Sequence, residues 1–420
     1  MTDRTKTDTT TRKTTGQGGI GRRTFLATGA AALGLGVTGF PAVLRAQAAP
    51  VKIGLIHPVS GFVAFSGTQC REGAMMAIAD LNAAGGVKAL GGAQIEAVLA
   101  DSQGKPEIGA SEVTKMAEAG IHGIVAGYAS SISLATSQEA AKTNTPHVVD
   151  VGVSDQIVQR GLTNTFRFGP GYGKIAEFAV DNLDTINQSA GSPAKTAMII
   201  HEESLFGTGT AGLLQERLPQ KGIEVVDVIK HANPTRDFTN IVLQIKSKKP
   251  DLIIPANYYN EYVLLARTMR QQRVEAMGIY SVLGGAASNY KFVNEFPEAA
   301  DLIMDCNHWF NPKSEVALQR KAAAEAKGLI YTYEVFLAYN AVLGLVDAIE
   351  RAGTTDKEAV NAALAASEMD MSYMPYGPTK MVDGQNQGGQ PVNTQVQNGD
   401  IQVIYPEAFA SAAPVFPMGG

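Results

Sequence analysis

Few residue spacings in this 420-residue chain could carry chemistry, and the sharpest is Gly207-Thr208-Gly209-Thr210-Ala211-Gly212. A GxGxxG run behind a strand can seat a dinucleotide pyrophosphate on a helix N-terminus. An acid near the end of the next strand, here Asp227, then meets the ribose. That chemistry requires the first glycine in the strand-to-helix turn itself. Here His201 through Phe206 intervene, and Glu202 and Glu203 put carboxylates where phosphates would have to pass. The run is therefore expected to be a glycine-opened helix, and the two glutamates a solvated pair rather than an acid/base couple. No GxSxG elbow offers a nucleophile, and Cys70 falls within a helical pattern. The six histidines (His57, His122, His147, His201, His231, His308) show no HxH or HExxH spacing of the kind that holds a metal. Neither catalysis nor a metal or cofactor is expected.

What remains is small, hydroxyl-bearing and aromatic residues in short segments. Ser60-Gly61-Phe62-Val63-Ala64-Phe65-Ser66-Gly67, Gly127-Tyr128-Ala129-Ser130-Ser131-Ile132-Ser133, Asn257-Tyr258-Tyr259-Asn260 and Leu283-Gly284-Gly285 each come directly after a predicted strand. Hydroxyls and free backbone N–H groups at helix N-termini can hold a carboxylate without a cationic side chain. Aromatic rings facing them can cover an apolar ligand.

The elements that must position these segments alternate short β-branched runs with amphipathic helices. Strands are predicted at 51–56, 94–100, 123–126 and 147–151, and helices at 67–84, 108–119 and 134–143. The pattern restarts after 165–168. Strands come next at 197–201, 225–229, 252–255 and 278–281, with helices at 174–183, 207–218, 238–247 and 261–272. Helices 315–325, 331–351 and 356–366 precede a strand-like, Gly/Gln/Asn-rich tail over 379–405. Two similar βαβ halves imply two parallel sheets, each covered on both faces, and ligands of such sheets bind beyond the carboxyl ends of the strands.

Composition agrees. Apolar residues make up 45% and charged residues 18% of the chain, which supports full cores. The net charge of −5 hides an asymmetry: residues 1–48 hold seven basic and two acidic side chains, so the remainder carries −10. An acidic surface of that kind does not attract nucleic acid or anionic lipid. Residues 1–48 themselves read as an export address. Arg22-Arg23-Thr24-Phe25-Leu26 precedes a weakly apolar Ala/Gly/Leu run, and Ala46-Gln47-Ala48 supplies a small-residue cleavage site. The paired arginines resemble a twin-arginine signal, with a general secretory signal as the alternative. Cys70 and Cys306 form no disulfide framework; buried free thiols are expected, a single bridge being the alternative.

At these residues the chain resembles the leucine/isoleucine/valine-binding protein family. The resemblance rests on Ile53-Gly54-Leu55 with Ser60-Gly61, Gly73 through Asp80-Leu81-Asn82-Ala83-Ala84-Gly85-Gly86-Val87, Asp101-Ser102, Phe206-Gly207, and Tyr333 through Tyr339-Asn340-Ala341-Val342. The closing Gly377-Pro378, Asp383-Gly384 and Gln395 also fit. It implies an α/β type I periplasmic binding protein fold, two Rossmann-like doubly wound lobes joined by three crossovers near 168–171, 303–308 and 377–380. Lobe 1 would take 49–170 plus 306–378, and lobe 2 171–305 plus 379–420. It implies ligand contacts from Tyr128, Ser130, Ser131, Val151, Val153 and Ser154 in the first lobe, with Phe65 and Ser66 at a position often aromatic. From the second lobe it implies Phe206, Tyr258, Val282 and Leu283. The family places an acid after the second-lobe strand to pair a ligand ammonium, whereas this chain has Val282-Leu283-Gly284. Asp150 and Glu261 are the candidates to replace it. The implied function is periplasmic capture of a small carboxylate-bearing solute, a branched-chain amino acid or an aromatic or keto acid analogue. The implied protein is a monomer that serves an inner-membrane ABC permease. A ligand-sensing receptor of the same fold and a periplasmic α/β enzyme are the alternatives.

Overall fold

The computed structural model describes residues 48–371 and 373–418. The expected export signal, apart from Ala48, lies outside them. The chain opens β1 (Val51–His57), α1 (Ala64–Ala83), β2 (Ile95–Asp101), α2 (Pro106–Glu118), β3 (Gly123–Ala126), α3 (Ser130–Ala141), β4 (His147–Val149) and β5 (Thr165–Arg167). The second series is α4 (Tyr172–Ser189), β6 (Thr196–Glu202), α5 (Leu205–Arg217), β7 (Glu224–His231), α6 (Thr239–Lys248), β8 (Leu252–Ala256), α7 (Tyr259–Gln271), β9 (Gly278–Val282), α8 (Tyr290–Glu295), α9 (Pro297–Ala300) and β10 (Met304–Asn307). Helices α10 (Glu315–Ala326), α11 (Tyr333–Ala352) and α12 (Lys357–Ala365) lead to β11 (Met381–Val382), β12 (Gln385–Asn386), β13 (Val392–Gln397) and β14 (Asp400–Tyr405).

These strands make two seven-stranded sheets, in the orders β11-β12-β5-β4-β3-β1-β2 and β14-β13-β10-β9-β8-β6-β7. The first is parallel except at the β11–β12 hairpin. The second is parallel from β7 to β10, with β13 and β14 added antiparallel. The central strands are short and buried on both faces. Ile53, Leu55, Ile124 and Val125 fill the first sheet, and Ile199, Ile200, Ile253 and Ile254 the second. That is why they read as continuous apolar runs rather than alternating ones. Helix α11 is buried on most of its surface and packs against α1, closing the first lobe.

The two doubly wound lobes match the expected fold class, with differences in detail. Met381–Val382 and Gln385–Asn386, assigned from sequence to the second lobe, pair with the first sheet through Gln385 and Arg167, so the third crossover comes after Asn386 rather than at 377–380. Strands of two residues carry no periodicity to read. Strand β10 belongs wholly to the second sheet, so the return to the first lobe begins after Asn307. Cys70 and Cys306 are free and buried, one in each lobe.

Candidate ligand-binding cleft

The loops after β3 and β4 build the first-lobe wall. Asp150 takes the Tyr128 N–H on Oδ1 at 2.9 Å and the Val151 N–H at 2.6 Å, while its Oδ2 lies 2.9 Å from His57 Nε2. Burial pushes this carboxyl up, but the His57 bond and the two N–H groups outweigh it, leaving its pKa below the usual carboxylate value. The anchor holds Tyr128 at φ +52, a left-handed turn that few side chains accept without such support. The turn delivers the chain into α3, which starts four residues earlier than its spacing predicts. Ser130 and Ser131 therefore sit in its first turn. Ala129 provides no side-chain cap, so N–H groups of that turn remain uncapped. Ser130 Oγ accepts the Ser154 N–H at 3.2 Å and keeps its own proton to give. Buried Arg167 fixes the loop after β4 by donating to the carbonyls of Gly152 at 2.9 Å and Ser154 at 3.0 Å and pairing with Asp155 at 3.1 Å.

The second-lobe wall repeats the device. Asp305 takes the Gly284 N–H at 3.0 Å and the Ser288 hydroxyl at 2.7 Å, and Leu283 stands at φ +56. Here burial prevails over the hydrogen bonds, and the carboxyl is pushed up to about 6. Gly285 donates to the Asn257 carbonyl at 2.9 Å; a Cβ at Gly285 would stand 2.5 Å from the Tyr259 nitrogen, so only glycine permits this approach. Glu202 corrects the expectation of a solvated pair. It is fully buried, and its oxygens take the N–H groups of Ser204 and Gly207, each at 2.6 Å. Ser204, not a glycine, caps α5, and a carboxylate fills the site a phosphate would need. That closes the dinucleotide reading of the glycine run. Glu203 is exposed.

The two walls face each other across a narrow cleft with a cavity volume of about 30 Å³, room for about one or two waters in this arrangement, so the walls must part to admit a ligand. Tyr128, Ser130, Val151 and Val153 line it from the first lobe, and Phe206, Asn257, Tyr258, Leu283 and Gly285 from the second. Asn307 and His308, where the chain leaves β10, and Tyr333, which opens α11, complete it. Tyr258 is the aromatic centre, with ring centroids 5.2 Å from Phe206, 5.8 Å from Tyr128 and 6.0 Å from Phe62. The lobes also meet where Asn260 Nδ2 donates to the Phe62 carbonyl at 2.9 Å. No lining residue is Asp, Glu, Lys or Arg. His308 is buried and pushed down to about 3, first by desolvation, so it is neutral. Asp150 is committed to its three partners. Glu261 does not line the cleft, and burial first of all pushes it up to about 7. A further buried acid, Glu334, lies next to Tyr333 and is likewise pushed up to about 7 by desolvation.

Of the residues singled out from sequence, Tyr128, Ser130, Val151, Val153, Phe206, Tyr258 and Leu283 are brought together in this lining, and five are not. Phe65 stacks on Tyr259, with centroids 4.5 Å apart. Ser66 is buried close to Tyr128 and Glu334. Ser131 is half-buried in the first turn of α3. Ser154 sits behind Ser130, its hydroxyl 3.3 Å from that of Tyr172. Val282 is a fully buried strand residue beside Cys306. Sequence reasoning missed Asn307, His308 and Tyr333 as lining residues, and did not single out Asn257 or Gly285 within their segments. For Asn307 and His308 the available signals were the crossover implied near 303–308 and their place at the end of a fifth strand of the second half, and β10 was itself not predicted.

The family model described as periplasmic binding protein matches residues 50–400. Among curated relatives, a Leu/Ile/Val-binding protein homolog 7 of Brucella abortus is 25% identical over 387 residues, covering 88% of this chain and 96% of its own. A branched-chain amino acid transporter substrate-binding protein of Streptococcus pneumoniae, solved with isoleucine, superposes with a TM-score of 0.72 at 22% identity, covering 88% of this chain and all (100%) of the other. A solute-binding protein of R. palustris, solved with benzoate, gives 0.74 at 19% identity, covering 87% and 98%. With the two lobes and the cleft between them, these findings place the chain in the periplasmic binding protein family, among whose members it resembles the Leu/Ile/Val-binding proteins.

Proposed function

We propose that the protein is the periplasmic solute-binding component of an ABC transporter. On this reading it captures, without catalysis, a small carboxylate whose body is apolar or aromatic and carries no ammonium. The observation that carries the reading is a lining without Asp, Glu, Lys or Arg: Val282-Leu283-Gly284 occupies the stretch where the family resemblance implies an acid to pair an amine, and Leu283 of that stretch lines the cleft. An ammonium desolvated there would lose several kcal/mol with no carboxylate in the lining to pair it. A carboxylate fares better, because Ser130 and the uncapped first turn of α3 offer donors and a favourable dipole. Tyr128, Phe206 and Tyr258 supply flat apolar surface for the body. The benzoate bound by the R. palustris protein is a ligand of this class, whereas isoleucine in the S. pneumoniae protein is not.

Capture would proceed by hinge closure over the crossovers, since only a ligand touching both walls favours the closed arrangement. A thermal-shift screen across amino acids, keto acids, aromatic acids and amides tests the class directly, because a ligand bound only by the native state raises the melting temperature. Shifts confined to the keto and aromatic acids support the reading. Shifts confined to α-amino acids would overturn it.

A further inference from the structure

The second-lobe end of the cleft holds an acceptor that no group of the protein meets. Asn257 is fully buried and lines the cleft. Its neighbour His231 fixes which way its amide faces. His231 Nδ1 lies 2.8 Å from the Ala232 carbonyl, which can only accept, so Nδ1 carries the proton and Nε2 is a lone pair. Burial first of all lowers the His231 pKa from its ordinary value, which keeps the ring neutral. Nε2 therefore accepts from the Asn257 Nδ2 amide, and the side-chain carbonyl is turned away from His231. That Oδ1 is buried with no hydrogen-bond partner, although the backbone carbonyl of the same residue is taken by Gly285.

We propose that Asn257 Oδ1 is a specificity subsite for a hydroxyl at the end of the ligand opposite the carboxylate. The ligand class is then a hydroxy-substituted aromatic carboxylate. The inference rests on the reading above, in which the carboxylate is held on the first-lobe wall at Ser130. The ligand O–H donates to Asn257 Oδ1. A ligand that presents a methyl group or hydrogen there leaves a buried carbonyl unmatched, which is the arrangement that lets a site reject analogues lacking a hydroxyl.

The test is calorimetric titration of the purified protein with benzoate, 4-hydroxybenzoate and 4-methylbenzoate, the last matching the hydroxyl in size without its donor. The expected result is 4-hydroxybenzoate binding about tenfold or more tighter than either analogue. Asn257→Leu should abolish that advantage, and Asn257→Asp, which retains an acceptor, should keep it, with circular dichroism confirming the fold of both. Equal affinity of the unmodified protein for 4-hydroxybenzoate and 4-methylbenzoate overturns the subsite while leaving the carboxylate reading intact. So does a hydroxyl preference that survives in a folded Asn257→Leu protein. Binding of none of the three overturns the subsite, and the carboxylate reading then stands or falls on the keto acid.

Discussion

Replacing Leu283 with Glu should convert the cleft into one that prefers an amino acid, and the size of the change can be worked from groups already in the protein. Leu283 lines the cleft, is 7% exposed and stands at φ +56. Glu pays the same backbone cost as Leu there, so that term cancels. Loss of the buried leucyl surface costs at most ~1.5–3 kcal/mol of stability. Glu334 and Glu261 show what burial does to a glutamate in this fold, each being pushed up to about 7. A carboxyl introduced at Leu283 with a similar pKa is about half ionised near neutral pH, which costs only ~0.4 kcal/mol of pairing energy. A charge-assisted bond to a ligand ammonium contributes ~1.5–3 kcal/mol, or roughly 10- to 150-fold in affinity. The sign with pH is fixed, because only the ionised carboxyl pairs: the gain is full near about pH 8.5. Near about pH 5.5, with ~3% ionised, ~2 kcal/mol is forfeited and the gain largely disappears. Calorimetry with leucine and 4-methyl-2-oxopentanoate at the two pH values reads the ratio directly. An unchanged leucine to keto acid ratio at the higher pH, in a variant that still melts cooperatively, would refute the placement of Leu283 at the amine end.

The remaining predictions concern the supports of the cleft and its export. Asp150→Ala strips partners from His57 and from the Tyr128 and Val151 N–H groups, and should cost ~3–5 kcal/mol in urea unfolding. Because the folded pKa of Asp150 is depressed, that difference should hold above its ordinary value of 3.8 and shrink as pH falls through the lower folded value. Glu334→Gln should act in the opposite sense. A carboxyl raised from 4.5 to about 7 destabilises the fold progressively between those values, so the unmodified protein should lose up to ~3 kcal/mol over that window and the glutamine variant should not. Lysine at both Arg22 and Arg23 should trap the precursor inside the cell in fractionation, and an unchanged periplasmic yield would rule out the twin-arginine route.

The legible parts of the chain were those whose physics is local. Both sheets could be read because their central strands are buried on two faces and bounded by glycine, proline or helix starts, and the loops after β3, β8 and β9 could be placed from that alternation. Ser130 was legible as a hydroxyl near a helix start, though its place inside the first turn depends on the Asp150 anchor across the sheet. Glu202 could not be read as a buried cap, since its partners Gly207 and Asn233 are distant or ambiguous in sequence. Asn307 and His308 were missed for a related reason. Their strand is four residues long, and it pairs with β13, some ninety positions away (Met304 with Gln395). The free carbonyl of Asn257 depends on the tautomer of His231, which only a three-dimensional hydrogen-bond network can fix.

At the centre of this reading is a cleft that takes a carboxylate without an ammonium. Its most direct test is calorimetric titration of the unmodified protein with three ligands, leucine, 4-methyl-2-oxopentanoate and benzoate. The keto acid, benzoate or both should bind, each more tightly than leucine. Tight binding of leucine with no binding of the other two would contradict the reading, and would mean that one of the buried acids now engaged elsewhere supplies the missing charge.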